Sequence, residues 1–188
     1  MRALPYLVAG ALAAAVAAPG AAQVVILGNG MASNCSTHAF NGEKSRTAIR
    51  ECTQALESET MSREAAAGTY VNRGIIYMRM SMYALAAKDF DEAEEIKPDL
   101  AEAPLNRGAL LIRQRQYAEA VEQINKGLTL GPRQPERSYF NRALAKEGLR
   151  DYAGAYRDFQ RALEIKPDWD RPKTELARYR VDTAPAGT

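Results

Sequence analysis

The chain offers few reactive side chains, and their spacing limits what each could do. There are two cysteines, Cys35 and Cys52, and one histidine, His38, three residues from Cys35. A histidine beside a thiol can lower its pKa and raise its reactivity, but no orienting acid accompanies this pair, and Cys35 has a second cysteine to bond with. A metal centre needs clustered histidine, cysteine or carboxylate ligands, and no such set can be assembled. Gly28-Asn29-Gly30-Met31-Ala32-Ser33 follows the apolar run Val24 to Leu27 in the manner of a dinucleotide-binding turn. Its third glycine is Ser33 and no strand crossover follows, so it reads as an extended leader. Asp89, Asp91 and Glu92 alternate with Lys and Arg, the pattern of a solvated helix face and a poor source of a general acid. Asn34-Cys35-Ser36 is a glycosylation sequon, which counts only in a eukaryotic secretory pathway. These residues point to no catalytic group, cofactor, metal or small-molecule substrate.

The elements that carry them start with an export signal. Arg2 precedes the apolar run Leu7 to Ala18, Pro19-Gly20 breaks it, and Gly20-Ala21-Ala22 offers a small-residue cleavage site. Residues 1–22 are predicted to be a signal peptide, with a mature start near Gln23 in the periplasm or outside the cell. An uncleaved anchor is the alternative, against a run shorter than the roughly 20 residues a spanning helix needs. Export brings Cys35 and Cys52 into an oxidising compartment, where they are expected to form a disulfide. The 188 residues are 46% hydrophobic and carry a formal charge of +2, with no block of like charge to suggest nucleic acid.

The rest of the chain repeats. Asn72-Arg73-Gly74 returns as Asn106-Arg107-Gly108 and as Asn141-Arg142-Ala143. Tyr83, Tyr117 and Tyr152 keep the same step, as do Ala86, Ala120 and Ala155; Phe90, Ile124 and Phe159; and Pro98, Pro132 and Pro167. This register resembles the tetratricopeptide repeat, a helix-turn-helix unit of about 34 residues. The resemblance covers units at 67–100, 101–134 and 136–169 and implies an all-α fold, a right-handed α-solenoid. The pattern is also sound physically. Gly74, Gly108 and Ala143 let the second helix of each unit approach the first, Ala86, Phe90 and Ala93 form one face at helical spacing, and proline stops each second helix. Two positions depart from the pattern: Pro104 stands where an aromatic is expected, so the middle unit should start late with Pro104 in its first turn, and Lys146 replaces apolar bulk.

Arrays need capped ends. Residues 23–62 read as an extended leader and a degenerate capping repeat, with Ala48, Cys52 and Ala55 in the second-helix column and Asn41-Gly42 ending a short first helix. Register sets Cys35 opposite Cys52. Residues 170–182 read as a C-terminal solvating helix and 183–188 as an unstructured tail.

In tetratricopeptide arrays the first helices line a concave face. Here they carry Val71, Ile75 and Met78, then Leu105, Ala109 and Ile112, then Phe140 and Leu144, with Asn72, Asn106 and Asn141 beside them and Arg79 and Arg113 at one edge. An apolar floor with spaced amides could grip a peptide, with Phe140 as its anchor. The same residues could instead pack neighbouring first helices together, or lie under the leader or a second copy. Co-chaperone members of the family use Lys and Asn where this chain has Val71 and Ile75. Only Asn106 and Arg137 fit their carboxylate clamp, so an acidic C-terminal tail is not the favoured ligand. The expectation is a non-catalytic module for an unidentified protein or peptide, alternatively a self-associating structural protein or homo-oligomer.

Overall fold

The computed structural model describes residues 7–9, 30–58 and 60–181. The leader at 23–29, the tail at 183–188 and all of the expected signal segment except Leu7–Ala9 lie outside them. Helix α1 (Met31–Asn41) and α2 (Arg46–Ser58) form the first pair; α3 (Arg63–Arg79) and α4 (Tyr83–Ile96), α5 (Glu102–Arg113) and α6 (Tyr117–Thr129), and α7 (Pro135–Gly148) and α8 (Tyr152–Ile165) follow. A short α9 (Asp170–Leu176) closes the stack. The described residues form an α-solenoid: each helix packs on its hairpin partner and on the next unit.

The columns read in the sequence are the packing contacts. A Cβ added at Gly74 would sit 2.6 Å from Cε1 of Phe90, and one at Gly108 would sit 2.5 Å from Cγ1 of Ile124 and 3.2 Å from the Ala120 carbonyl oxygen. The two glycines should therefore differ. The third unit already carries Ala143 in the cluster that holds Phe159, so a ring can shift aside for a methyl. The Ala120 backbone cannot. Gly108→Ala is expected to cost about 1–3 kcal/mol by overpacking, more than Gly74→Ala, with urea denaturation as the measurement. Pro104 lies in the first turn of α5, where its missing N–H has no intrahelical acceptor to lose. Each of the three repeat hairpins after the cap turns through one residue with a left-handed backbone, Ser81, Arg115 and Arg150, at φ of 62°, 61° and 63°.

The cap is built as its register implies. Cys35 and Cys52 are fully buried with Ala39, Ala48 and Ile76, and their sulfurs are bonded, with Cα atoms 4.8 Å apart. α1 ends at Gly42, whose φ of 78° suits glycine. His38, for which the sequence offered no orienting acid, is in fact partly buried between two carboxylates, with Nδ1 2.9 Å from Glu43 and Nε2 2.8 Å from Glu51. The hydrogen bond to Glu51 raises its pKa above the usual histidine value, against the opposing effect of burial. A raised folded-state pKa contributes stability that is complete below about pH 6.5 and lost as pH rises through the folded value. The melting temperature should therefore fall between mildly acidic and mildly alkaline pH, and His38→Gln should flatten that slope. An unchanged slope would mean that the imidazole does not hold the cap.

The C-terminal end differs from expectation. The helix expected over 170–182 stops at Leu176, and Tyr179–Val181 is a strand, β2, paired antiparallel with β1 (Leu7–Ala9) in the register Leu7↔Val181, Val8↔Arg180, Ala9↔Tyr179. Tyr179 explains the stop. Its ring packs on Tyr156 and Phe159, and its hydroxyl donates to Glu147 at 2.6 Å, which draws the chain out of helical geometry.

Candidate functional site

The first helices α3, α5 and α7 lie side by side and touch one another directly, so equivalent residues recur at a fixed step across one face. That face differs from the apolar floor expected above. Val71, Ile75 and Met78 are buried with Phe90, Ala109 and Leu110; Leu105 and Ile112 with Ile124 and Ala145; Phe140 and Leu144 with Phe159 and Tyr179. Ala109 from α5 inside the α3 cluster, and Ala145 from α7 inside the α5 cluster, show the reason. These positions seal each unit to the next. Phe140 in particular has Trp169 5.0 Å and Phe159 5.4 Å away, with the Arg171 guanidinium 4.8 Å from its ring centre, so it is covered and cannot meet an anchor from outside.

The amide ladder is internal as well. Asn72, Asn106 and Asn141 are buried, and Asn106 donates from Nδ2 to the Glu102 carbonyl of its own helix at 2.8 Å. The first helices leave Arg79 on α3, Arg113 on α5 and Arg137 on α7 partly exposed, with Arg171 following on α9. Arg79 donates to the Ala39 carbonyl of the cap, and its pKa is lowered first by burial and then by the charges of Arg113 and Arg137.

The opposite side of the solenoid carries buried charge where the sequence pattern suggests a solvated face. Asp89, expected on an exposed face, is buried and receives two hydrogen bonds from Arg73, Nε to Oδ2 at 2.9 Å and Nη2 to Oδ1 at 2.8 Å. Arg142 repeats this with Asp158 at 2.8 and 2.7 Å, and those bonds chiefly hold its pKa above the ordinary arginine value. Lys146 reaches the same Asp158 at 2.8 Å, which accounts for a lysine in an apolar column. The middle unit has Gln123 in this place, and its Arg107 pairs with Asp91 of the preceding unit. Arg73 and Arg142 also reach back, to Thr53 at 3.0 Å and Asn125 at 2.7 Å, the register equivalents of Asp91. The arginine of each Asn-Arg-Gly/Ala triplet thus rivets its unit to the one before. The recurring Arg with Asp sixteen residues on, at 73/89 and 142/158, was the available signal.

Among the described residues, no group of three His, Cys, Asp or Glu side chains could hold a metal ion, and no helix is long and apolar enough to cross a membrane.

Comparison with known proteins finds a known repeat in two segments of the chain. The tetratricopeptide repeat model matches residues 67–100 and 136–168. RNA polymerase II-associated protein 3 of Xenopus tropicalis is 26% identical over 106 residues, 56% of this chain and 16% of that protein. The Hsp70-Hsp90 organizing protein of Triticum aestivum is 26% identical over 96 residues, 51% of this chain and 16% of that protein. The DnaJ homolog subfamily C member 7 homolog of Schizosaccharomyces pombe is 29% identical over 119 residues, 59% of this chain and 24% of that protein. The chain thus spans between 16% and 24% of the length of these curated relatives. Among solved structures, the first repeat domain of Spaghetti (RPAP3), bound to the HSP90 peptide SRMEEVD, superposes with a TM-score of 0.58 at 23% identity over 64% of this chain and 94% of that one. MamA from Desulfovibrio magneticus RS-1 gives 0.62 at 20% identity over 78% and 80%. At these identities the likeness is one of fold.

Proposed function

We propose that this chain, which carries tetratricopeptide repeats, is a protein-interaction module that receives a peptide or protein partner on the face built by α3, α5 and α7. The repeat is in general a non-catalytic interaction fold, and a structural neighbour with the same fold holds a peptide. The observation that carries the reading is the side-by-side contact of successive first helices. It presents equivalent side chains at a regular step, the arrangement an extended chain can match residue by residue.

A second reading has an observation in its favour. Phe40, Leu85 and Leu149 are large apolar side chains left exposed, which suits a self-associating structural protein that covers them with another copy. Light scattering on the purified protein separates the two: a monomer favours an outside partner and a dimer favours self-association. For the first reading, a partner recovered by affinity capture is titrated against wild type, Arg113→Gln and the outer-face control Lys88→Ala. Loss confined to Arg113→Gln is the expected result, and equal affinity in all three moves the binding surface elsewhere.

We also propose the periplasm or cell exterior as its location, with cleavage before Gln23. Its support is the Arg2 to Ala22 signal pattern and the Cys35–Cys52 pair, since disulfides persist in oxidising compartments. Intact-mass measurement of protein from its native compartment tests it, and a species that retains Met1 would overturn it.

A further inference from the structure

Building on the reading of this face as a partner-binding surface, we propose that its ligand is an internal acidic segment in extended conformation, whose carboxylates are taken by a row of arginines: Arg79, Arg113, Arg137 and Arg171.

The row is periodic. Arg113 follows Arg79 by thirty-four residues, and Arg171 follows Arg137 by thirty-four, so two register positions supply one guanidinium to each of α3, α5, α7 and α9. The charges of Arg113 and Arg137 bear on Arg79, and that of Arg137 bears on Arg171, where Glu175 acts in the opposite sense. Glu175 is itself engaged by Arg178 at 2.7 Å.

The contrast with the other side of the solenoid makes the row distinctive. There Arg73, Arg107 and Arg142 each meet a carboxylate. On this side Arg79 and Arg113 form no ion pair among the described residues. Arg79 donates to a backbone carbonyl, and the Nε of Arg113 is buried without a hydrogen-bond acceptor. Partly buried cations held close together lose solvation and repel one another, and an incoming carboxylate relieves both costs. A guanidinium accepts a carboxylate in a two-bond fork, which is the recognition this residue type supplies best.

The same geometry favours an internal segment over a chain terminus. Val71 and Ile75 are buried in the interior of the first unit, so no cationic pair stands there to take a terminal carboxylate. It also sets the spacing. Neighbouring packed helices lie about 10 Å apart and an extended chain advances ~3.3 Å per residue, so acidic residues about three positions apart would match the step from Arg79 to Arg113, which hold the same place in successive repeats. Nucleic acid is the less favoured polyanion, because the chain as a whole carries only +2 and Arg73, Arg107 and Arg142 on the outer face are each paired with a carboxylate.

The test uses the full chain and fluorescence anisotropy with an acetylated, amidated peptide of about nine residues that carries Glu at every third position in a Ser/Ala background. Parallel arms use the same peptide with Gln for Glu and a single-stranded oligonucleotide of equal charge. The Glu peptide should bind and weaken steeply with added salt. Arg79→Gln and Arg113→Gln should each weaken it by about tenfold with unchanged circular dichroism, Arg113→Lys should recover part of the loss, and Lys88→Ala should have no effect. Equal binding of the Gln peptide would overturn the acidic ligand while leaving a protein-interaction face intact. No binding of the Glu peptide, or stronger binding of the oligonucleotide, would overturn it outright.

Discussion

Phe140→Ala is expected to destabilise the protein by about 3–5 kcal/mol, the range for removing a large aromatic from a closed core. The ring is 0% exposed. It forms the joint between the last repeat and the closing helix: Phe159 on α8 packs on one side, Trp169 leads into α9, and Arg171 lies over its face. Truncation would empty the centre of the cluster that also holds Ala143, Leu144 and Tyr179, so the C-terminal unit should loosen before the others. Urea denaturation monitored at Trp169 reads this directly, since the chain has one tryptophan. Phe140→Leu should cost less, because it keeps most of the apolar volume. The opposite outcome, stability within about 1 kcal/mol of wild type together with lost partner affinity, would restore Phe140 as a binding anchor and refute its place in the core.

Phe140 also shows how far the sequence could be read. Its spacing with Leu144 and the step from Ile75 through Ala109 to Leu144 identified the face of each helix, because the 3.6-residue period and the repeat register are written in residue types. Whether that face opens to solvent or closes on a neighbour is set by how tightly successive units pack. That distance depends on the third dimension: Ala109 and Ala145, small residues on the next first helix, are what bring the units together. The cysteine pair was legible because register alone set Cys35 opposite Cys52. The stop at Leu176 was not, since the pull on Tyr179 comes from Glu147, thirty-two residues back along the chain. Asp89 was misread for a similar reason. A carboxylate next to Lys88 and two residues before Asp91 looks solvated, and only the approach of Arg73 from the other helix of the hairpin makes a buried carboxylate tolerable there.

Asp89→Ala is the second change with a large expected effect, again about 3–5 kcal/mol, because it leaves Arg73 charged and mostly buried with no counter-charge. The side chains of Arg73 and Asp89 are only 15% and 4% exposed, so solvent can do little to compensate. The guanidinium is further fixed between the Tyr70 and Tyr77 rings, 5.4 and 5.8 Å from their centres, and by its bond to Thr53 in the cap, so it cannot swing out to water without giving up those contacts. Asp158→Ala should be at least as damaging, since it strands both Arg142 and Lys146. The exposed pair in the middle unit sets the baseline: Asp91 is 59% exposed, and Asp91→Ala should cost no more than about 1 kcal/mol. The decisive variant removes both partners. Arg73→Met with Asp89→Leu should recover most of the loss from Asp89→Ala, because a buried pair replaced by apolar side chains of similar volume is often neutral in stability. If the double variant is as unstable as the single one, the pair contributes through its bond to Thr53 and the cap rather than through charge compensation within the hairpin.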